Sequence, residues 1–384
     1  MKVLWICGLP FEVQQQVLAG KNHGAYAAWS WVMGHLPPPP GVELHVACRT
    51  ARYTQPQEFD YRGARFHLVP VKSRARVLCL FQFDWKYFTS LSQRIRPNVV
   101  HGWGTEDAYA HVALRIAPHN HLIQVQGNVN AYRRRVAMPR LTWFSAQSER
   151  LALGRARHVI AENDYALDSA RAMTHGAALH VVEHPIRSEF LTTTPSDGTG
   201  KQVVFLGAID ERKGIWDAVT AFEKAAPPDW RLHIIGSGST ERVGELNRRL
   251  AAMGPSGRAR HSAQLSSAQI VSEMQAASLF LLPTRIDTGP TALKEALAMG
   301  LWPVCYDNSG PGHYLRKFEF GTLVPDLDLS QLAAALHQTI ATREWEQPEQ
   351  RQKIHSHIRP HFDRDRIWRD LLAVYRQIDP ESAK

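Results

Sequence analysis

Short apolar runs, each closed by Gly, Pro, Asn or a polar loop, alternate with amphipathic stretches along almost the whole chain. This is the βα rhythm of parallel sheets. In the first half KVLWIC (2–7), VELHVAC (42–48), ARFHLVPV (64–71), NVVHGWG (98–104), HLIQVQG (121–127), HVIAEN (158–163) and LHVVEHP (179–185) read as strands. GAYAAWSWVMGHL (24–36) reads as a helix, and the four prolines 37–40 end it because they cannot continue its hydrogen bonding. A second series follows: QVVFLGAID (202–210), RLHIIGSG (231–238), LFLLPT (279–284), WPVCYDN (302–308) and GTLVPD (321–326), separated by helical stretches such as 215–226 and 266–277.

Between the two series, LTTTPSDGTG (191–200) has no periodicity and reads as a linker. The expected division is therefore a Rossmann-like domain over 1–192 and a second over 201–362. A C-terminal helix over 363–384, apolar at Ile367, Leu371, Leu372, Val374 and Tyr375, is expected to pack back toward the first domain. Two such α/β domains imply a ligand cleft between them.

Composition narrows the class. Of 384 residues, 44% are hydrophobic and 21% charged, as in a soluble globular protein, and no apolar run approaches the roughly 20 residues of a membrane span. The opening KVLWIC is too short and too soon followed by Glu12 for a signal peptide, so a first strand and a cytoplasmic location are expected. Cysteines 7, 48, 79 and 305 are scattered and no histidines cluster at metal-ligand spacing, which predicts neither a disulfide frame nor a metal site. Charge is uneven: residues 1–199 hold 22 Lys and Arg against 14 Asp and Glu, net +8, while the rest is net +1. A basic first half suits nucleic acid, anionic lipid headgroups or a phosphorylated substrate.

Candidate chemistry gathers at strand ends in the second half, where open α/β sheets bind ligands. FLGAIDERKG ends a strand at Gly207 and places Arg212, Lys213 and Gly214 before a helix, a set suited to a diphosphate; a solvated turn is the alternative. IIGSGS offers Gly236 and Ser237, small enough for backbone to lie against a base or sugar, or simply a Gly-Ser turn. In DTGPTALKE, Gly289 and Pro290 lead into a helix whose first amides, on Thr291, Ala292 and Leu293, would face an anion. Glu295 would lie one turn in, placed for a ribose diol, and Asp287 in the preceding loop would face a sugar. For these two acids a first-turn glutamate and a turn former remain the plain alternatives. YDNSGPGHYL (306–315) reads as a connecting loop.

These motifs resemble the retaining nucleotide-sugar glycosyltransferases of family 4, whose GT-B architecture is α/β, with two facing Rossmann-like domains. DTGPTALKEALAMG is a close variant of their E-x7-E motif with Asp287 for the first Glu, and GAIDERKG resembles their phosphate-binding G-R-x4-K-G with Ala208 in the arginine's place. VVHGWG resembles the family's strand ending in His, here His101; IQVQGN has Gln126 where many members have His; Gly24 falls at their glycine-rich loop; VVEHPIRSEF has His184 where they have Asn. The likeness is strongest over 202–326 and loose before 120. It implies front-face transfer of a sugar from a nucleoside diphosphate, UDP or GDP above all, to a saccharide or lipid-linked acceptor in polysaccharide or glycoconjugate synthesis. Arg212 and Lys213 would stabilise the departing phosphate, with Asp287 and Gln126 at the sugar and Glu295 at the ribose. No cofactor or divalent cation is implied.

The substitutions at Ala208, Gln126 and Asp287 keep an alternative open, a nucleotide-sugar-binding protein without transfer activity. A dehydrogenase is disfavoured because no strand leads into G-x-G-x-x-G. Nucleic acid is not an expected partner, since no nucleic-acid module is present. Arg133, Arg134 and Arg135, close to Trp143 and Phe144, suit either a solvated basic loop or contact with an anionic membrane at its inner face, or with a phosphorylated lipid-linked acceptor.

Overall fold

The structure, a computed structural model, describes residues 1–9, 37–50, 54–70, 82–105, 108–254 and 257–383. The chain divides into two compact units, Met1–Pro185 with Arg364–Lys384, and Ile186–Asp363.

The first unit holds, among the described residues, an eight-stranded sheet in the order β3-β4-β2-β1-β5-β6-β7-β8. Its strands are β1 (Lys2–Cys7), β2 (Glu43–Thr50), β3 (Gln57–Tyr61), β4 (Ala64–Pro70), β5 (Val99–Trp103), β6 (His121–Val125), β7 (His158–Ala161) and β8 (Ala178–Val181). All pairings are parallel except β3 with β4. β3 was not expected from the sequence: QEFDY is mostly polar and exposed, and it pairs through a two-residue turn, Arg62-Gly63, in which both residues have positive φ. The expected helix at 24–36 lies outside the described residues.

Both faces of this sheet are covered. One face packs on the helices Gln82–Ile95 and Ala108–Ile116 through Phe88, Leu91 and Val112. The other face receives the C-terminal helix Arg364–Ile378, whose Ile367, Trp368, Leu371, Val374 and Tyr375 recur at helical spacing and are buried with Trp5 and Trp103. The Trp5 Nε1–H donates to the Tyr375 hydroxyl at 2.8 Å, and that hydroxyl lies 2.8 Å from His101 Nδ1. A phenol has one proton, so having accepted from Trp5 it donates to His101, which fixes the neutral ring with its proton on Nε2. Burial holds this imidazole well below its ordinary pKa, and nearby His184 adds to the effect. Replacing Tyr375 by Phe would strand both nitrogens without water. A loss of about 1–3 kcal/mol in the denaturant unfolding of the first unit is expected, and an unchanged midpoint would refute the assignment.

The second unit holds a six-stranded parallel sheet among the described residues, in the order β11-β10-β9-β12-β13-β14. These are β9 (Gln202–Leu206), β10 (Arg231–Ile235), β11 (Ala259–Ser262), β12 (Leu279–Leu281), β13 (Trp302–Tyr306) and β14 (Thr322–Val324). The edge strand β11, ARHS, escaped the sequence reading because it has no apolar run. One continuous core surrounds the sheet, centred on Val203, Val204, Phe205, Phe222, Phe280, Leu297 and Tyr306.

The stretch 191–200 is not a free linker. Ser196 N–H donates to the Met299 carbonyl at 2.8 Å, Ser278 Oγ and Trp345 Nε1 both reach the Gly198 carbonyl, and Arg359 caps the carbonyl of Thr193 at 2.9 Å. Serine and threonine gave the stretch a linker's composition, but here they and the backbone bond to the second unit. The division therefore falls at Pro185–Ile186 instead of between 192 and 201, and the C-terminal helix belongs to the first unit.

Candidate functional site in the second unit

In the second sheet the connections leave β9 and β12 to opposite sides, so the order reverses between these neighbours. A crevice at the carboxyl ends of two such strands is the usual ligand position in an open α/β sheet. The loops that follow them are stitched together. Arg285 N–H and Thr284 Oγ each donate to the Arg212 carbonyl at 2.8 Å. Gly214 has φ +71° and opens the helix Ile215–Ala225; a Cβ there would lie 1.8 Å from the Pro283 carbonyl oxygen, so only glycine lets the loops close. Asp210 Oδ1 accepts from the Lys213 N–H at 2.8 Å and turns the RKG segment inward.

That turn brings Lys213 Nζ onto Asp287 Oδ2, with Arg212 Nη1 3.8 Å from the same oxygen. The Asp287 backbone is held on both sides by the start of the helix Ser309–Phe318: its N–H donates to Ser309 Oγ at 3.0 Å and its carbonyl accepts from Gly310 N–H at 2.7 Å. Asp287 is only 7% exposed. Burial alone would raise its pKa, but Lys213, Arg212 and Lys294 outweigh it and hold the carboxyl below its usual range, so it is ionised at neutral pH. Lys294 is itself fully buried, its Nζ 5.8 Å from the ring centroids of Tyr314 and Phe362.

Directly after Asp287 the helix Thr291–Ala298 begins at Pro290, which caps it with no side-chain bond. The amides of Thr291 and Ala292 have no hydrogen-bond partner among the described residues, while the Leu293 and Lys294 amides both turn to the Pro290 carbonyl, at 2.9 and 3.2 Å. Two open amides at a helix start, beside two cations at a switch point, form an anion-binding geometry. On the neighbouring strand end, a Cβ on Gly236 would lie 1.8 Å from the Gly207 carbonyl oxygen. The two backbones therefore touch, and Ser237 stands exposed just beyond.

Residues 187–358 match the family model of glycosyl transferases group 1. The chain is similar to an exopolysaccharide phosphotransferase of Streptomyces coelicolor, at 35% identity over 36% of this chain and 15% of that one. It is also similar to a GDP-mannose:cellobiosyl-diphosphopolyprenol alpha-mannosyltransferase of Xanthomonas campestris, at 26% identity over 55% of this chain and 56% of that one. The chain thus spans about half the length, or less, of the curated relatives it matches. Among solved structures, Anabaena HepE in complex with UDP-glucose superposes with a TM-score of 0.70 at 14% identity, covering 98% of this chain and 100% of that one. The expected α/β class of GT-B type is borne out.

Within residues 187–358 the structure unites Arg212, Lys213 and Asp287, and sets Gly207, Gly236 and Ser237 on adjacent strand ends. Gly289 and Pro290 join Asp287 to the helix that starts at Thr291. Of the three amides expected to face an anion, that of Leu293 is already engaged. Glu295 is placed differently from the expectation of an open ribose ligand. It is 1% exposed, and both carboxylate oxygens accept from Arg187, Nε and Nη2 at 2.7 Å each. Arg187 Nη1 also donates to Ser267 Oγ at 3.0 Å. Glu295 thus anchors the first residues of the second unit.

The first unit places its candidates apart from one another. His101 is fully buried in the Trp5, Trp103 and Tyr375 cluster, within the core of the first unit. Gln126 directly follows β6, and Arg133, Arg134 and Arg135 are exposed on the helix Val129–Arg135. Gly24 lies outside the described residues. The expected loop at 306–315 is instead the end of β13 and the helix Ser309–Phe318. Sequence reasoning missed Arg187, Lys294 and Ser309. Arg187 carried a weak signal as a charge inside an otherwise family-like segment, whereas Ser309 matters only because the fold brings it to Asp287.

Proposed function

We propose that this protein is a retaining glycosyltransferase that moves a sugar from a nucleoside diphosphate to an acceptor hydroxyl during polysaccharide or glycoconjugate synthesis. The observation that carries this reading is the convergence of Lys213 and Arg212 on Asp287, beside the open amides of Thr291 and Ala292, within a group 1 glycosyl transferase domain. Departure of a nucleoside diphosphate builds negative charge on its β-phosphate, and fixed cations and amides stabilise that charge without reorganising. In the free site Lys213 and Asp287 neutralise each other; an arriving diphosphate draws the ammonium to itself and leaves the ionised carboxylate to orient sugar hydroxyls.

In a front-face displacement the departing phosphate can itself take the acceptor's proton, so no second carboxylate at glycosidase spacing is needed. Gln126 would serve as a non-titrating donor to a sugar hydroxyl. Because Arg212 and Lys213 supply the positive charge, transfer should persist in EDTA. The likeness to the GDP-mannose-dependent mannosyltransferase of Xanthomonas supports a GDP-sugar donor and a lipid-linked acceptor, and the HepE complex supports a UDP-sugar.

The test is a thermal-shift screen of the whole protein against UDP-, GDP-, ADP- and dTDP-sugars, followed by product analysis with the donor that binds. Stabilisation by one nucleotide-sugar, with an anomerically retained product that forms equally in EDTA, is the expected result. Stabilisation without turnover on any acceptor would favour the binding protein without transfer activity, and no shift from any nucleotide-sugar would sink the reading.

A further inference from the structure

In the first unit the helices Val129–Arg135 and Thr142–Leu153 are bound into one piece by a buried acid. Glu149 is fully buried and accepts from the amides of Val129 and Asn130 at 3.2 and 3.0 Å, from Asn130 Nδ2 at 2.7 Å, and from Thr105 Oγ at 2.9 Å. It thereby satisfies orphan amides at the start of the shorter helix and pins the pair to the loop after β5. Residues 129–150 contain no other acid, yet they contain Arg133, Arg134, Arg135, Arg140 and Arg150. All five arginines are exposed. With the only carboxylate buried, the outer surface of this pair has a single sign.

Two features distinguish this surface from a solvated basic loop. First, a cleft of about 360 Å³ is lined by Asn130, Arg133, Arg134, Trp143, Gln147 and Arg150. Its arginines are braced: Arg133 Nη1 donates to Thr142 Oγ at 2.8 Å and Arg150 Nε to Asn130 Oδ1 at 2.9 Å. Second, Leu141, Trp143 and Phe144 are 75%, 50% and 38% exposed, and they make up three of the six large apolar side chains exposed among the described residues. An exposed apolar cluster that reaches into an arginine cleft through Trp143 is costly in water and adds nothing to contact with phosphates alone. It matches a lipid interface, where Trp sits at headgroup level and guanidinium forks take phosphate.

We propose that the pair of helices over residues 129–153 is a membrane-surface site: the arginine cleft seats the phosphate of an anionic lipid while Leu141, Trp143 and Phe144 enter the headgroup layer. No helix among the described residues is long and apolar enough to cross a membrane, so attachment of this kind is peripheral. The proposal stands apart from the transfer chemistry, because its readout is lipid binding.

Co-sedimentation of the whole protein with vesicles of phosphatidylcholine, with and without phosphatidylglycerol, tests it. Binding to the anionic vesicles, weakened by added salt, is the expected result. Two double variants, Arg133→Glu with Arg134→Glu, and Trp143→Ser with Phe144→Ser, should each bind at least about tenfold more weakly while keeping the wild-type circular dichroism and melting profile. If either pair fails to fold, Leu141→Asp carries the apolar test alone, since that side chain is mostly in solvent. The proposal is overturned if the wild type ignores anionic vesicles, if the folded variants bind as well as the wild type, or if the wild type is held by inorganic pyrophosphate or an oligonucleotide but not by vesicles.

Discussion

Glu295→Ala is expected to cost the second unit about 3–5 kcal/mol of stability, read as a lower denaturant midpoint with the same slope. The reason lies in what the substitution leaves behind. Arg187 is 3% exposed, with its guanidinium 4.6 Å from the Phe190 ring centroid and both ends of its fork on Glu295. Without the carboxylate, a permanent cation stays in a dry site that has lost its charge partner, with Ser267 Oγ still accepting from Nη1. Solvent cannot screen it, and arginine does not neutralise itself by losing a proton. The double variant Arg187→Met with Glu295→Leu removes both charges at similar volume and should recover most of the loss, because desolvation consumes much of what a buried pair gains. The same double variant separates structure from ligand binding. Recovered stability with unchanged donor KM assigns the pair to the fold alone. Recovered stability with a strongly raised KM returns Glu295 to the ribose role first expected of it.

That ambiguity shows how far the sequence is legible. Strands that are buried on both faces announce themselves as apolar runs, so β1, β5, β6, β9, β12 and β13 were readable. β3 and β11 lie at sheet edges and carry polar residues, and they form because a neighbouring backbone has free groups to pair with, which no local pattern records. Motif spacing located Arg212, Lys213 and Asp287 correctly on facing loops, since each loop directly follows a strand and parallel strands end on one side. Motif spacing could not locate the partner of Glu295, which is 108 residues away. It likewise could not show the surroundings of His101, whose ring Trp5 and Tyr375, from opposite ends of the chain, enclose.

Lys213→Ala is expected to lower kcat for sugar transfer by about 10²–10³ with a smaller change in donor KM, the usual loss when one fixed stabiliser of a developing anion is removed. A second effect tells this role apart from general damage. In the wild type, burial raises the Asp287 pKa and the neighbouring cations more than reverse it, with Lys213 the largest of them. Removing the ammonium leaves Arg212, 3.8 Å away, as the nearer of the remaining cations, so the carboxyl pKa must rise. The ionised form is lost as pH falls through that pKa. The wild type should therefore keep its activity to lower pH than the variant, and the acid limb of kcat should move upward in Lys213→Ala. Lys213→Arg restores a cation next to Asp287 and should bring the acid limb back down, even if the geometry for catalysis is imperfect. Asp287→Asn should abolish the acid limb together with most of the activity, while lowering stability less than Glu295→Ala, since its amide still accepts from Lys213. An acid limb that stays at one pH in wild type and Lys213→Ala would mean that the two side chains do not act on the same charge, and the proposed site would fall with it.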